Sequence, residues 1–344
     1  MSLKIGYFGF GKSTNRYHLP YVLIRDKFEV KTICSPVIDE QMKQRYIDKN
    51  ITFTSDEDIL LKDEEIELVV VCTPPSSHFE LAKKALLNNK NVLVEKPFCP
   101  KFEEAVELLE LAKEKGLFCI PFQNRRFDGD FLAVKNVIES GKLGDIIEVE
   151  SHFDYYRPEY PDFNGEYYDG AFYGLGVHTI DQMISIFKKP DHVYYDIRTL
   201  RNSNNPDDTF EVNLFYKDCK VIVKTSHLVK IDYPKFIVHG KKGSFVKYGI
   251  DQQETCLKAG IMPQDEGFGL DQESAYGTLS YINEQGEDVI EKVQTPLGDY
   301  GRVYDAIYNH IKKGEDIFVT YDEIMCVMEI LSEGFKEKTP FVKK

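Results

Sequence analysis

The sequence predicts a doubly wound α/β domain followed by a second α/β domain on a mostly antiparallel, open sheet. Two observations carry this. Short apolar runs alternate with helical patterns as far as about residue 121, and after it the runs lengthen and alternate in polarity. A third is Gly9-Phe10-Gly11, which sets a tight turn at the end of the first apolar run.

Lys4 to Phe8 predicts the first strand, Phe28 to Ile33 the second, and the β-branched run Leu68 to Cys72 the next. Asn91 to Val94 and Leu117 to Pro121 follow. Continuous apolar runs such as Leu68-Val69-Val70-Val71 suit strands buried on both faces, as in parallel sheets. Ser76 or Ser77 can cap a helix through His78 to Asn89. Phe102, Val106, Leu109 and Ala112 recur at helical spacing until Gly116 stops that helix.

From residue 122 a helix over Phe131–Glu139 leads into alternating strands. These are Ile146–Tyr156, Val193–Leu200, Phe210–Tyr216, Lys220–His227, Phe236–His239 and Ser244–Tyr248. Lys217-Asp218 has hairpin spacing. Helices are expected over His178–Phe187, Val303–Lys312 and Asp322–Lys336, and Asp251–Asp299 reads as long loops with one hairpin. The expected domains are 1–121 and 122–344, in line with 344 residues at roughly 150 per domain.

Acids outnumber bases 57 to 43, which argues against a nucleic-acid binder and equally against an anionic membrane surface as partner. An apolar content of 42% supports a buried core. No run of about 18 apolar residues predicts a membrane span. The N-terminus enters a strand without a basic stretch or cleavage site, so no signal peptide is expected. Seven cysteines, an odd count with no C-x-x-C, read as reduced structural thiols of a cytoplasmic protein. His152 and Asp154 lack further ligands at metal spacing, and no metal is expected.

Gly9-Phe10-Gly11-Lys12-Ser13-Thr14 carries two glycines of G-x-G-x-x-G, with Thr14 at the third place. Gly9 permits the tight turn and Gly11 lets a pyrophosphate approach the backbone. Thr14 and the nearby Pro20 predict a first helix that is displaced or starts late. The second strand ends Ile33-Cys34-Ser35-Pro36, without the acid that reads a ribose 2′-hydroxyl. Ser35 and Lys12 can meet a 2′-phosphate instead, so NADP is favoured over NAD; Ser35 also reads as a plain turn residue.

Val94-Glu95-Lys96-Pro97 ends a strand where an open α/β sheet places its ligand. With the glycine turn, Thr73-Pro74-Pro75, Asn124-Arg125-Arg126-Phe127, Gly176-Val177-His178-Thr179-Ile180-Asp181 and His239-Gly240-Lys241-Lys242-Gly243-Ser244, the chain resembles the Gfo/Idh/MocA oxidoreductase family along nearly its whole length. It is most similar to a subgroup with G-F-G-K-S and H-F-D-Y-Y-R-P, whose relatives include an NADP-dependent scyllo-inositol dehydrogenase. The resemblance implies an N-terminal Rossmann dinucleotide-binding domain and a C-terminal α/β domain. One face of that domain's open sheet often forms an oligomer interface, which implies a homo-oligomer.

The resemblance also implies roles. Lys96 is the expected catalytic residue: its ammonium, with a lowered pKa, holds a substrate oxygen and exchanges its proton. His178 is the second, binding substrate or relaying its proton, and Asp181, one helical turn on, orients it or caps the helix. The expected cofactor contacts are Gly9, Gly11, Lys12, Ser13, Thr14, Ser35, Thr73, Pro74, His78, Glu95, Lys96, Asn124 and Arg125; His78 reads equally as a helix cap. Asp154, Tyr155, Tyr156, Arg157 and Tyr173, with Lys96 and His178, are expected to contact a polyol or sugar substrate.

One departure matters. Many relatives carry an acid four residues before the histidine, where this chain has Gly174; Tyr173, Asp169 and Asp154 are candidate replacements. The leading expectation is an NAD(P)-dependent dehydrogenase of a cyclic polyol, sugar or related hydroxy/keto compound. The alternatives are a catalytically weak NADP-binding sensor and a glycosidase that uses tightly bound NAD.

Overall fold

A computed structural model describes residues 2–343 and divides them between two compact units. Among the described residues the first comprises 2–124, 260–265 and 300–325; the second comprises 125–259, 266–299 and 326–343. The units are therefore discontinuous, unlike the single boundary expected after residue 121. The helix Gly301–Lys313 belongs to the first unit because Tyr304 and Ile307 bury completely and ring contacts tie Tyr304 to Phe28 and Phe122.

The first unit holds strands β1 (Leu3–Phe8), β2 (Phe28–Cys34), β3 (Thr52–Thr54), β4 (Leu68–Val71), β5 (Asn91–Val94) and β6 (Cys119–Pro121). They form one parallel sheet in the order β3-β2-β1-β4-β5-β6. All four residues of β4 are fully buried, as its continuous apolar run requires. The sequence reading missed β3, whose three residues carry no full period of alternation. Strands are added on one side of β1 up to β3 and on its other side from β4 onward, and this switch point places the exits of the parallel strands β1 and β4 at one crevice.

The second unit holds β7 (Ile146–His152), β8 (His192–Arg198), β9 (Thr209–Phe215), β10 (Lys220–Ser226), β11 (Phe236–Gly240), β12 (Gly243–Lys247), β13 (Gly277–Ile282), β14 (Asp288–Val293) and β15 (Phe341–Lys343). Their order is β14-β13-β12-β11-β7-β10-β9-β8-β15, antiparallel except for the parallel pair β7 and β10. Phe210, Val212 and Leu214 of β9 and Val221 and Val223 of β10 are buried, and the residues between them are half-buried. One face therefore carries the core. The other carries a mixed row that includes Tyr194, Asn213, Ile222 and Ile237. Within Asp251–Asp299 the expected hairpin is β13–β14, and a short helix, Gln253–Lys258, was not anticipated.

Candidate active site

Gly9 closes β1 with φ +96°, and a side chain there would place its Cβ 2.4 Å from the Cys72 carbonyl oxygen. Only glycine fits, because strand exit and neighbouring backbone share the same space. Gly11 differs: a Cβ there meets nothing within 4 Å. Its backbone is exposed and faces open space, so the turn fits a pyrophosphate approaching the amides at the start of a helix.

That helix begins at once, contrary to the late start expected. Asn15 N–H donates to the Gly11 carbonyl at 3.2 Å, and Thr14–His18 wind as a π-helix before the α-helical turn Leu19–Val22. The wider turn accommodates Pro20, which has no N–H to give. Thr14 is fully buried and donates to the Gly9 carbonyl at 2.9 Å, so its hydroxyl braces the turn and shows a dinucleotide no surface.

At the end of β5, Glu95 is buried and Lys96 half-buried. Glu95 Oε2 accepts the Lys96 backbone N–H at 2.9 Å, and Oε1 accepts from Ser13 Oγ and from His18 Nε2, the latter at 3.0 Å. Burial pushes the Glu95 pKa up, but the His18 hydrogen bond and charge, Ser13 and Lys96 outweigh it and hold it at about 2. Ser13 and Glu95, expected at the cofactor, thus spend their side chains on each other.

His78, the other expected cofactor histidine, is fully buried and clamps two exits of the sheet together. Nε2 lies 2.8 Å from the Thr73 carbonyl and Nδ1 2.9 Å from the Pro97 carbonyl. Burial lowers its pKa. It is a brace, with no side-chain surface to offer a ligand. Ser35 is 7% exposed and donates to the Val37 carbonyl at 2.8 Å. Lys12 is exposed, Thr73 half-buried, Pro74 exposed and Asn124 buried at the first unit's end.

In the second unit a π-helical turn, Phe172–Gly176, leads into Val177–Phe187, and His178 sits in its first turn, 4% exposed. Asp181 takes the Arg126 guanidinium on both oxygens, Nε to Oδ2 at 2.8 Å and Nη2 to Oδ1 at 2.7 Å. Gln182 Nε2 donates to the Arg125 carbonyl at 2.7 Å, so this helix holds both arginines of the N-R-R-F segment. Arg125 binds Asp128 at 3.1 Å and Glu254 at 2.6 Å and lies over the Phe153 ring, which commits it within its own unit.

The expected stand-ins for the missing acid separate. Tyr173 is fully buried among Tyr167, Phe172 and Phe335, so it is a core residue and not a substrate contact. Asp169 is exposed and accepts the Glu166 backbone N–H at 2.9 Å. At Gly174 a Cβ meets nothing within 4 Å, so the place of the acid is open. Asp207, which sequence reasoning missed, accepts the Phe172 N–H at 2.7 Å at the head of the turn before His178, and burial raises its pKa to about 7.

Asp154 and Tyr155 line a cavity of about 290 Å³ inside the second unit, together with His152, Tyr233, Lys235 and Thr255. Asp154 is held by the Ser226 N–H at 2.7 Å, and His152 stacks on Tyr233. Tyr156 is exposed and Arg157 lies 3.9 Å over the Tyr155 ring; neither lines the cavity. Lys235 was missed because an isolated lysine between loops reads as surface. It is 4% exposed, its Nζ 4.7 Å from the centres of both the Phe153 and Phe236 rings, and that nitrogen has no hydrogen-bond partner among the described residues.

Burial pushes the Lys235 pKa down to about 8 against the pull of Asp130, Asp128 and Asp154. A lysine depressed in the folded state binds its proton less tightly than the unfolded chain does. The penalty is therefore present at neutral pH and fades as pH rises from about 8 through the ordinary lysine value of 10.5. Lys235→Met is expected to raise stability by roughly 1–3 kcal/mol at neutral pH, a gain that shrinks near pH 10, as urea midpoints at the two pH values will show.

The seven cysteines are unbridged, and among the described residues no helix is long and apolar enough to cross a membrane.

Glycine turn, switch point and following open sheet define a dinucleotide-binding protein of two α/β units, of the class of NAD(P)-dependent dehydrogenases to which the following family matches assign it. Two sequence profiles match it: "Oxidoreductase family, NAD-binding Rossmann fold" over residues 3–122 and "Oxidoreductase family, C-terminal alpha/beta domain" over residues 135–338. The chain belongs to the Gfo/Idh/MocA oxidoreductase family. It is 59% identical to the uncharacterized oxidoreductase YhhX of Escherichia coli over 99% of this chain and 98% of that one. It is 32% identical to the scyllo-inositol 2-dehydrogenase (NADP(+)) IolW of Bacillus subtilis, over 98% and 95%. A crystal structure of an oxidoreductase from Bacillus cereus superposes with a TM-score of 0.98 at 51% identity, covering 100% of this chain and 98% of that one.

Proposed function

We propose that the protein oxidises a CH–OH carbon of a cyclic polyol or sugar, or reduces the matching ketone, with NADP as the preferred cofactor. The observation that carries the reading is Lys96 on the turn leaving β5, its amide fixed by Glu95, on the sheet whose switch point holds the glycine turn. Bound there, the cofactor accepts or gives the hydride. The Lys96 ammonium holds the substrate oxygen, and His178 takes the hydroxyl proton during oxidation and returns it during reduction. Asp154 and Tyr155 on the cavity wall supply an acceptor and an amphipathic ring suited to ring hydroxyls.

NADP is favoured because β2 ends without an acid to repel a 2′-phosphate. Ser35 can meet that phosphate once its hydroxyl turns from Val37, and the exposed Lys12 adds charge. Similarity to the NADP-dependent scyllo-inositol 2-dehydrogenase supports both parts of the reading. The half-buried mixed face of the second sheet is the proposed homo-oligomer surface, to be checked by light scattering after size-exclusion chromatography.

The test follows nicotinamide absorbance with NADP and NAD separately, against inositols, aldoses and their keto forms. Turnover with NADP supports the reading; a preference for NAD overturns the role given to Ser35, and an inert panel overturns the polyol assignment.

Gly174 favours a second reading, a catalytically weak NADP-binding sensor. The open space there admits a carboxylate, so Gly174→Asp is expected to fold with a change within about 1 kcal/mol. Under the dehydrogenase reading it changes kcat less than about ten-fold, because the wild type has its own route. Under the sensor reading it raises turnover by at least about ten-fold.

A further inference from the structure

Glu95 is the end of a buried chain of hydrogen bonds. Its Oε1 lies 3.0 Å from His18 Nε2; His18 Nδ1 lies 2.5 Å from Tyr304 Oη; and Tyr304 Oη lies 2.9 Å from Tyr7 Oη. Tyr7, His18 and Tyr304 are 0% exposed and Glu95 is 8% exposed. Two arrangements of protons satisfy every link, and in both Nε2–H donates to the carboxylate: with a neutral imidazole Tyr7 donates to Tyr304 and Tyr304 to Nδ1, and with an imidazolium Nδ1–H donates to Tyr304 and Tyr304 to Tyr7. The chain starts in β1, passes through Tyr304 of the helix Gly301–Lys313, and reaches the carboxylate that accepts the Lys96 backbone N–H.

Its surroundings are apolar. The Phe122 ring lies 4.1 Å from the His18 ring, and Tyr7 and Tyr304 meet His18 edge-on. Burying a carboxylate and an imidazole in such a place costs desolvation that hydrocarbon would avoid. The polar chain gains orientation in return. Each oxygen of Glu95 has a fixed donor, so the carboxylate plane cannot turn while His18 holds it.

We propose that His18 and Tyr304 are positioning residues for Lys96: they hold the Glu95 carboxylate in the orientation that receives the lysine's amide, and thereby set where its side chain leaves the turn. This rests on the reading of Lys96 as the group that holds the substrate oxygen. Displacing such a group by about 1 Å costs on the order of 10²-fold in rate.

The experiment compares His18→Leu, His18→Gln and Tyr304→Phe with the wild type. It measures kcat and KM on the polyol panel, NADPH affinity by fluorescence, and site-resolved hydrogen exchange of the Lys96 amide in the cofactor-free protein. His18→Leu is expected to lower kcat by about 10- to 100-fold with KM and NADPH affinity within about three-fold. Its Lys96 amide exchanges at least about ten-fold faster while Leu68–Val71 stay protected. His18→Gln, whose amide nitrogen can still donate to Glu95, recovers most of both losses. Tyr304→Phe deletes one hydroxyl and accelerates the same exchange, which carries the test if His18→Leu does not fold. Wild-type exchange at Lys96 in His18→Leu and Tyr304→Phe, or a kcat loss that His18→Gln does not recover, overturns the proposal. The exchange measurement needs no turnover, so an inert wild type sinks the functional reading alone.

Discussion

Lys96→Ala is expected to lower kcat by about 10²- to 10⁴-fold while NADPH affinity stays within about three-fold. The ammonium acts on an oxygen whose charge changes between carbinol and carbonyl, so its removal is felt in the transition state more than in binding. The backbone should tolerate the change. The bond to Glu95 comes from the Lys96 main-chain N–H, which alanine keeps, and the side chain is only half-buried. Steady-state kinetics and a fluorescence titration of the variant check the two halves separately. Wild-type kcat would remove Lys96 from the chemistry, and loss of NADPH binding with unchanged kcat at saturation would reassign it to the cofactor.

Arg126→Ala is expected to destabilise the second unit by about 3–5 kcal/mol. The pair with Asp181 is bidentate at 2.8 and 2.7 Å, and the two side chains are 8% and 2% exposed. Removing one partner leaves the other charge in a place water does not reach. Replacing both, as Arg126→Met with Asp181→Leu, is expected to recover most of the loss, because two apolar groups leave no buried charge. Urea unfolding of the single and double variants measures this. The single variant is expected to lose turnover as well, because Asp181 stands one helical turn from His178. A loss below about 1 kcal/mol would mean that water or another cation reaches Asp181.

Much of this was legible in one dimension because the signal was local. Gly9 declares itself by standing at a strand exit, and Leu68-Val69-Val70-Val71 declares burial on both faces. Glu95-Lys96-Pro97 leaves β5 and His178 opens a helix, the element ends at which the sequence placed these motifs. The hairpin between β9 and β10 and the alternation of both strands followed from a two-residue period. The short elements, β3 and the helix Gln253–Lys258, escaped because three to six residues hold less than two periods of any pattern.

Four side chains expected at a ligand share one departure. Ser13, Thr14, His78 and Tyr173 sit in or beside motifs, and motif position assigned them to ligand; for Ser13 and Thr14 this leaves the backbone amides as the groups that can face one. The fold instead spends their hydroxyls, rings and imidazole on Glu95, the Gly9 carbonyl, two backbone carbonyls and an aromatic core. A buried polar group must find a partner inside the protein, and sequence spacing does not reveal that partner.

By itself, then, the amino-acid order determined the class of fold, the glycine turn and the lysine that follows β5, because each depends on neighbours within a few residues. Only the tertiary structure decided that the helix Gly301–Lys313 joins the first unit, that Tyr304 reaches His18, and that Lys235 is buried between two rings. Those facts depend on residues up to 297 positions apart brought within hydrogen-bond or van der Waals reach. Packing of whole elements sets such distances, and no local period encodes them.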